Sequence, residues 1–285
     1  MKVLFYPGCT AHSTGLEYND SLHAVFESLG VEFQALDDWN CCGGAAAHSL
    51  SKMLALGLSA RNIKQAQPQS DLPLAISCAG CFNATRVADY HLTHDRKVRR
   101  ELEATLDFTY TGEVKILPFH EVLTRMIGLD ALKAKIQKPL AGLKVASYYG
   151  CALVRNPKVM QMGDHDNPIF LDEIAASLGA EAVDWSYKTD CCGADIALSH
   201  GKIAIDLADK IVEGAREAGA NCMMAACGLC QINLDMRQSG KNGPKLPQFY
   251  YTELMGIALH VGKRKKWWEK HIVSPLPLLN SVNLH

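Results

Sequence analysis

Eleven cysteines are the most reactive side chains of this chain, and ten of them form two sets with the same order. Each set has one cysteine, a Cys-Cys-Gly triplet after a gap of 31 or 39 residues, and a Cys-x-x-Cys pair separated from the second cysteine of the triplet by 35 or 34 residues. The first set is Cys9, Cys41, Cys42, Cys78 and Cys81; the second is Cys151, Cys191, Cys192, Cys227 and Cys230. In a reducing compartment this pattern indicates metal or redox chemistry rather than structural disulfides.

Five thiolates in one set exceed the needs of common metal sites. Tetrahedral zinc and a cubane [4Fe–4S] cluster each take four ligands. Either one cysteine of each set does not bind the metal, or the site holds a metal group larger than a zinc ion or a cubane cluster. The adjacent pair Cys41-Cys42 favours the larger site, because neighbouring cysteines serve two irons more readily than one. Zinc in the first motif and iron only in the second is a further hypothesis.

The two cysteine sets belong to an internal repeat that covers the chain. Residues 2–9 match 144–151, residues 41–44 match 191–194, residues 78–81 match 227–230, and residues 117–121 match 249–254 more loosely. The repeat predicts two domains, residues 1–140 and residues 141–285, the second with a C-terminal extension. The junction between them is predicted at residues 138–142.

Within each half, predicted strands alternate with predicted helices. The short apolar runs at 3–6, 31–36, 74–76, 145–148, 182–183 and 223–225 predict strands. Helices are predicted from an N-cap at Asp20 to Gly30 and at 50–66, 83–92, 168–178 and 202–218. This alternation indicates βαβ units on parallel sheets, hence an α/β fold of two Rossmann-like lobes related by a pseudo-twofold axis.

The cysteines fall at one kind of place in these predicted lobes. Four of them follow predicted strands, and the two Cys-Cys pairs precede predicted helices. In open α/β sheets this edge binds ligands, and helix N-termini there favour anions such as a thiolate-bound cluster. Four neighbouring glycines let the backbone approach a metal and donate N–H groups to sulfur: Gly8, Gly43, Gly150 and Gly193. We therefore expect the two sets to face one another at the lobe interface.

Composition excludes several other classes of function. The net charge of −1 removes the usual electrostatic argument for binding nucleic acid. The apolar run at 3–6 is far shorter than a signal-peptide core, and no stretch approaches the roughly 18–20 apolar residues that span a bilayer. We expect a cytoplasmic protein without a transmembrane segment.

Four further features have both a functional and an ordinary interpretation. His12 is a candidate proton donor to a leaving thiolate, and otherwise a surface or packing histidine. His120 is predicted to pack or lie at the surface, with substrate contact as the alternative. Cys222, outside the repeat, is predicted to be a buried small hydrophobe. Residues 263–268, Lys-Arg-Lys-Lys-Trp-Trp, form a solvated segment or a docking point for an acidic partner rather than a patch for nucleic acid or membrane.

Tandem Cys-Cys-Gly motifs with these spacings resemble the catalytic B subunit of heterodisulfide reductases, including bacterial types of sulfur metabolism. The resemblance covers nearly the whole chain and includes residues 148–151, 227–238 and the tail at 271–279. It implies that the ten cysteines hold two non-cubane [4Fe–4S] clusters, between which a disulfide is cleaved or formed in one-electron steps. It also implies a ferredoxin-like C-type subunit and a flavoprotein A-type subunit as partners. Residues 41–44 lack the proline-containing turn of methanogen-type members, so the identity of the substrate is not implied.

Tandem Cys-Cys-Gly modules also occur in iron–sulfur subunits of flavin-dependent lactate, glycolate or succinate dehydrogenases, where clusters only relay electrons. The tail at 271–279 and the absence of any Cys-x2-Cys-x2-Cys ferredoxin run favour the first resemblance. Electron-carrying cubane clusters would then belong to a partner.

Overall fold

Two four-stranded parallel sheets, one in each half of the chain, organise the computed structural model, which describes residues 1–238, 244–262 and 264–284. The first sheet contains β1 (Lys2–Tyr6), β2 (Glu32–Ala35), β3 (Leu74–Ile76) and β4 (Ile116–Pro118) in the order β2-β1-β3-β4. The second contains β5 (Lys144–Tyr148), β6 (Glu181–Ala182), β7 (Cys222–Ala225) and β8 (Gln248–Tyr250) in the order β6-β5-β7-β8. The predicted α/β fold of two repeated βαβ lobes is confirmed.

Helices connect the strands in both lobes. The first lobe has α1 (Leu16–Ser28), α2 (Gly44–Leu50), α3 (Lys52–Ala66), α4 (Ala79–His94), α5 (Arg96–Leu106), α6 (Phe119–Glu121), a π-helix (Val122–Ile127) and α7 (Leu129–Lys133). The second has α8 (Gly150–Val154), α9 (Pro157–Met160), α10 (Phe170–Ser177), α11 (Gly201–Glu217), α12 (Gly228–Met236), α13 (Tyr251–Ala258), α14 (Arg264–Trp268) and α15 (Leu276–Ser281). Short 3-10 turns lie at Cys9–His12, Gln67–Gln69 and Ala194–Ile196.

Two predicted helix starts are wrong. Helix α1 begins at Leu16 rather than after Asp20, and Gly15 occupies its N-cap position. Helix α4 begins at Ala79 rather than at residue 83, so that Cys78 is its N-cap. Both helices start directly after a loop that faces the other lobe, and packing there adds a turn that the apolar periodicity of the sequence does not reveal.

The segment predicted as one helix at 50–66 is two helices, and α5 is one of several helices for which no range was predicted. Ser51 has an extended backbone that separates α2 from α3, and its hydroxyl accepts a hydrogen bond from Leu54 N at 3.4 Å. Helix α5 begins after Asp95, whose carboxylate accepts hydrogen bonds from the N–H groups of Lys97 and Val98. Both caps satisfy N–H groups that have no partner inside the helix.

The two lobes contact each other reciprocally. Helix α4 of the first lobe packs on α8 of the second, and α12 of the second packs on the 3-10 turn Cys9–His12 of the first. Helix α2 contacts the turn Ala194–Ile196, which occupies the matching place in the repeat. Each contact thus has a counterpart with the lobes exchanged, as a pseudo-twofold relation requires.

Helices α1 and α13 supply a second part of the interface. The ring of Tyr18 stacks on that of Tyr250 with centroids 4.4 Å apart. The hydroxyls of Ser21 and Thr252 share a buried hydrogen bond of 2.7 Å. A buried hydrogen bond beside stacked rings makes the lobe arrangement specific, because both need one relative orientation of the two helices.

The predicted domain boundary at 140/141 remains a prediction. The last strand of the first sheet ends at Pro118 and the first strand of the second begins at Lys144. Between them, the N–H groups of Gln137 and Lys138 both donate to Ala258 O of the second lobe. In the described ranges, no helix combines the length and apolar character needed to cross a membrane.

The C-terminal extension packs on α13 of the second lobe and on α1 of the first. Both tryptophans of residues 263–268 are buried, and Trp267 lies against the Cα positions of Gly256 and Gly262. The prediction of a solvated segment is therefore wrong for the two tryptophans. Lys265 and Lys266 are exposed, whereas Lys263 lies outside the described residues.

A buried ion pair fastens this extension. His271 Nε2 lies 2.9 Å from Glu253 Oε1, and neither side chain is exposed to solvent. The carboxylate of Asp235 accepts hydrogen bonds from the N–H groups of Ile272 and Val273 at 2.6 and 3.0 Å. Burial by itself lowers the pKa of His271, but the carboxylate of Glu253, together with those of Asp235 and Glu17, offsets burial and raises that pKa to about 9.

We expect His271→Gln to lower the free energy of unfolding by about 3–5 kcal/mol at pH 6, because it leaves Glu253 buried without its cation. Since the folded protein binds this proton more tightly, the stabilisation is complete below pH 6.5 and is lost as the pH rises through about 9. Urea unfolding at pH 6, 7.5 and 9.5 measures both effects. His165→Gln, at an exposed histidine, is the control. A pH dependence that is unchanged in His271→Gln would contradict the assignment.

Candidate metal centre

The two cysteine sets meet at the lobe interface. The thiols of Cys78 and Cys227 lie beside one another across it, close enough for each to shift the pKa of the other. Both residues follow a central strand, β3 or β7, and are the N-caps of α4 and α12. The expectation that the two sets face one another agrees with this contact.

Each set has the same internal pattern of thiol contacts. In the first, Cys81 hydrogen bonds to Cys42 and to Cys78, and the sulfurs of Cys9 and Cys41 lie 3.7 Å apart. In the second set, Cys230 hydrogen bonds to Cys192 and Cys227, and Cys151 hydrogen bonds to Cys191. Cys9, Cys41 and Cys191 are exposed and Cys151 is half-buried, whereas the other six are buried. The structure thus brings together all ten predicted ligands, with one edge of each set open.

Backbone N–H groups point at the sulfurs. Gly43 N donates to Cys41 Sγ and Gly193 N donates to Cys191 Sγ, both at 3.4 Å. Gly44 and Ala194, at the start of the following helical turns, donate to the second cysteine of each pair. These donors and the helix N-termini favour the thiolate, which is the form that ligates metal.

Glycine is required at the third position of each Cys-Cys-Gly triplet. Gly43 has φ 85° and Gly193 has φ 78°, in the left-handed region. A Cβ on Gly43 would lie 2.5 Å from Ala47 Cβ, and one on Gly193 would lie 2.9 Å from Ala204 Cα. The turn that aims the N–H group at sulfur therefore excludes a side chain by conformation and by space.

A pair of tyrosines that the sequence analysis did not identify holds the Cys-Cys loops. The hydroxyl of Tyr6 donates to the carbonyl of Asn40 at 2.9 Å, and that of Tyr148 donates to the carbonyl of Asp190 at 2.6 Å. Each carbonyl belongs to the residue before a Cys-Cys pair. Burial, reinforced by nearby thiols, raises the pKa of both phenols, so they remain hydrogen-bond donors. Both tyrosines lie at the same position of the repeated segments 2–9 and 144–151, and this shared position in the sequence could have revealed them.

The thiols differ in their tendency to ionise. Hydrogen bonds from Cys227 and Cys81 hold the pKa of Cys78 well below its usual range, and a hydrogen bond from Cys151 lowers the pKa of Cys191 to about 6. Hydrogen bonds to neighbouring sulfurs together with burial raise the pKa of Cys81 and Cys230. Thiols this close cannot all ionise unless a positive group compensates, and a bound metal provides that charge.

The donor set fits an iron–sulfur group better than a single zinc ion. Tetrahedral zinc with Zn–S bonds of about 2.3 Å holds its sulfurs about 3.8 Å apart. Among the described residues, no three cysteine sulfurs lie within 4.8 Å of one another. A thiolate-only set with N–H donors at the sulfurs is typical of iron–sulfur sites, where sulfide and several irons occupy the space between thiolates.

The remaining candidate residues occupy other environments. The exposed ring of His12 stacks on Trp39 with centroids 5.7 Å apart, and its role as a proton donor remains a prediction. Cys222 is fully buried in β7, where burial raises its pKa, so the prediction of a buried small hydrophobe is confirmed. His120 is buried and stacks on Phe170 at 4.3 Å, in agreement with packing.

Comparison with known proteins identifies the repeated unit. The family described as CCG, a cysteine-rich domain, matches residues 3–86 and 145–235. The chain is 27% identical to the 8-methylmenaquinol:fumarate reductase membrane anchor subunit of Wolinella succinogenes, over 97% of this chain and 99% of that protein. It is 26% identical to the B subunit of the ferredoxin/F(420)H(2)-dependent CoB-CoM heterodisulfide reductase of Methanosarcina acetivorans, over 99% of this chain and 97% of that protein.

A solved structure shares the fold. A hypothetical protein from Helicobacter pylori matches with a TM-score of 0.68 at 10% identity, over 95% of this chain and 51% of that chain. This chain therefore spans about half the length of that protein, and the likeness concerns architecture alone.

We expect Gly43→Ala to destabilise the protein by about 1–3 kcal/mol, because the new Cβ would overlap Ala47 and strain a left-handed turn. Gly44→Ala is the matched control, since Gly44 is also left-handed at φ 48° but has no atom within 4 Å of an added Cβ. Denaturant unfolding of the metal-free protein measures both variants. Equal losses would show that conformation alone, and not the crowding at Gly43, sets the requirement.

Proposed function

Because this chain belongs to the CCG cysteine-rich domain family, we propose that it is the iron–sulfur catalytic subunit of a heterodisulfide reductase-like complex. Several relatives over most of the chain are named as B subunits of heterodisulfide reductases, including proteins of Methanosarcina acetivorans and Methanosarcina mazei. The proposed reaction is cleavage or formation of a disulfide, with two electrons exchanged in one-electron steps. The proposed partners are a ferredoxin-like C-type subunit and a flavoprotein A-type subunit, in the cytoplasm.

The proposed ligands are the two cysteine sets. They would hold one non-cubane [4Fe–4S] cluster each, through Cys9, Cys41, Cys42, Cys78 and Cys81 in the first lobe and Cys151, Cys191, Cys192, Cys227 and Cys230 in the second. When bound, these clusters supply the capacity to accept and donate single electrons next to sulfur. The chain's own part is to fix the thiolates, donate N–H groups to them and limit access of water.

The observation that carries this proposal is the contact between Cys78 and Cys227. Both residues are N-caps of helices at the lobe interface, and each thiol is close enough to shift the pKa of the other, which supports one shared site rather than two sites on opposite surfaces. A substrate disulfide must be approached from both sides, with reacting atoms within roughly 3–3.5 Å, so the two sets must share one cleft. The exposed Cys9, Cys41 and Cys191 mark the side from which a small thiol or disulfide would enter.

Small residues beside the cysteines have two different uses in the structure. An added Cβ on Gly44 would meet no atom within 4 Å, so the space beside Cys41-Cys42 is open. An added Cβ on Gly228 would lie 3.1 Å from Thr10 Oγ1 of the other lobe. Gly228 therefore allows close approach of the lobes and does not provide an opening.

The alternative proposal is an electron relay. One relative, which matches nearly the full chain, is named as a subunit of a fumarate reductase. The two substrates in that name, a menaquinol and fumarate, are not sulfur compounds. In a relay the same ten cysteines hold the clusters, and no disulfide binds to them. The two proposals therefore differ at the exposed edge of each set and not in the ligands.

We expect anaerobically reconstituted protein to contain about eight irons and about eight sulfides per chain, the content of two four-iron clusters. Cys42→Ser and Cys192→Ser should each reduce this content by about half, because each removes a ligand from one set only. Cys222→Ser is the matched control, since Cys222 is a buried thiol outside both sets and its loss should leave the iron content unchanged. Stoichiometric zinc with half the iron would assign zinc to one motif, and absence of sulfide would contradict the cluster assignment.

Catalyst and relay are distinguished by the response to substrate. We expect saturating 2-hydroxyethyl disulfide to change the EPR spectrum of reduced protein that contains both clusters. The change should be lost at the altered cluster in Cys42→Ser or Cys192→Ser and kept in Cys222→Ser. An unchanged spectrum in fully loaded protein would favour the electron relay.

A further inference from the structure

Glu121 and Glu253 occupy equivalent positions in the repeat, but their surroundings differ between the two lobes. In the second lobe, Glu253 accepts a hydrogen bond from Tyr250 N and pairs with His271 of the C-terminal extension. Its neighbour Thr252 hydrogen bonds to Ser21 of the first lobe. The second lobe is thus closed at this place, by the extension on one side and by α1 on the other.

The equivalent place in the first lobe is an open cleft between the lobes. Two adjoining cavities of about 220 and 320 Å³ share the walls formed by Glu121, Arg125, Gln161 and Met162. We call these two cavities the interlobe cleft. Glu121 and Arg125 come from α6 and the π-helix, and Gln161 and Met162 come from the loop after α9. Single π-helical turns occur frequently at functional sites.

A buried histidine at the wall of the interlobe cleft lacks a hydrogen-bond partner. His120 is 2% exposed, its ring stacks on Phe170, and its Nε2 makes no hydrogen bond. Burial lowers the pKa of His120 to about 3, so the ring is neutral. Thr252, its counterpart in the repeat, has Ser21 as a partner. A buried polar atom without a partner costs free energy, which a bound ligand can recover.

The carboxylates of the interlobe cleft are already paired. Asp89 accepts a hydrogen bond from Tyr110 at 2.7 Å and pairs with Arg86 at 3.2 Å. Glu121 forms an ion pair with Arg125. Neither carboxylate is therefore left as the main acceptor for a cationic ligand.

Hydrogen-bond donors, in contrast, remain available. In the part of the chain that the structure describes, the side chains of Lys115, Thr124 and Gln161 line the cleft and make no direct hydrogen bond or ion pair. The charge of Lys115 acts on Glu121 only from a longer distance. Asp164 in the adjoining loop accepts hydrogen bonds from the N–H groups of its own loop at Asp166 and Asn167, so its carboxylate is occupied there.

We propose that the interlobe cleft binds a small organic oxyanion, a carboxylate, sulfonate or phosphate with an apolar part. Lys115 and the outer face of Arg125 would hold the oxyanion, since hydrogen bonds from ammonium and guanidinium groups favour such anions. The lining is mostly polar, with Phe82, Met160 and Met162 among its apolar residues, so the apolar part of the ligand is short. His120 lines the inner cavity, where its Nε2 would provide a hydrogen bond. None of the ten motif cysteines lines either cavity, so this site is separate from the proposed cluster edge.

The experiment is isothermal titration calorimetry of the full chain with propanoate, propane-1-sulfonate and inorganic phosphate as probes, and with propylammonium as the cationic counterpart. We expect saturable binding of one site per chain for at least one organic anion and none for propylammonium. Lys115→Gln and Arg125→Gln should each weaken that binding about tenfold, which corresponds to about 1.4 kcal/mol. His120→Phe, which keeps the stacked ring but removes Nε2, should weaken it as well.

Two further variants make the result specific to the interlobe cleft. Thr124→Trp fills the cleft without changing its charge and should abolish binding, while Arg61→Gln, at a surface arginine paired with Asp38 on another face, should leave it unchanged. Thermal melts confirm that each variant is folded. Equal binding of propylammonium, loss of binding in Arg61→Gln, binding retained in folded Thr124→Trp, or no binding of any organic anion would each overturn the proposal.

Discussion

The contact between Cys78 and Cys227 is the constraint on which the rest of the structure depends. Each cysteine lies where a central parallel strand ends and a helix begins, so its position is set by the sheet of its own lobe. Bringing these two positions together restricts how the lobes can be oriented, and the contacts of α1 with α13 complete that restriction. The reciprocal contacts of α4 with α8, and of α12 with the turn at Cys9–His12, follow from that orientation. The same residues are thus both proposed ligands and contacts of the lobe interface.

Within each lobe, backbone groups rather than charged side chains prepare the thiols. A left-handed glycine turns an N–H group toward the first cysteine of the pair, and the helix start supplies another for the second. Tyr6 and Tyr148 anchor the carbonyls that precede the pairs. Backbone donors suit a cluster because they favour the thiolate without adding a counter-charge that would compete with the metal.

The departures from symmetry separate the two halves in function. The C-terminal extension closes the second lobe through the buried pair of His271 and Glu253. The first lobe has no such extension, and Glu121 faces an open cleft. The repeat thus contains two equivalent cysteine sets, but only the surroundings of Glu253 are closed. The interlobe cleft at Glu121 is open and available for binding a ligand.

The sequence by itself determined the repeat, the parallel α/β lobes and both cysteine sets, because spacing and short apolar runs are local signals. It also indicated that Cys222 is buried. It did not reveal the start of α4 at Ala79, the roles of Tyr6 and Tyr148, or the buried pair at His271. These features depend on residues far apart in the chain that meet only after the lobes pack. Tertiary structure alone decided them, because a hydrogen bond or an ion pair requires two partners, whereas a sequence pattern describes one segment at a time.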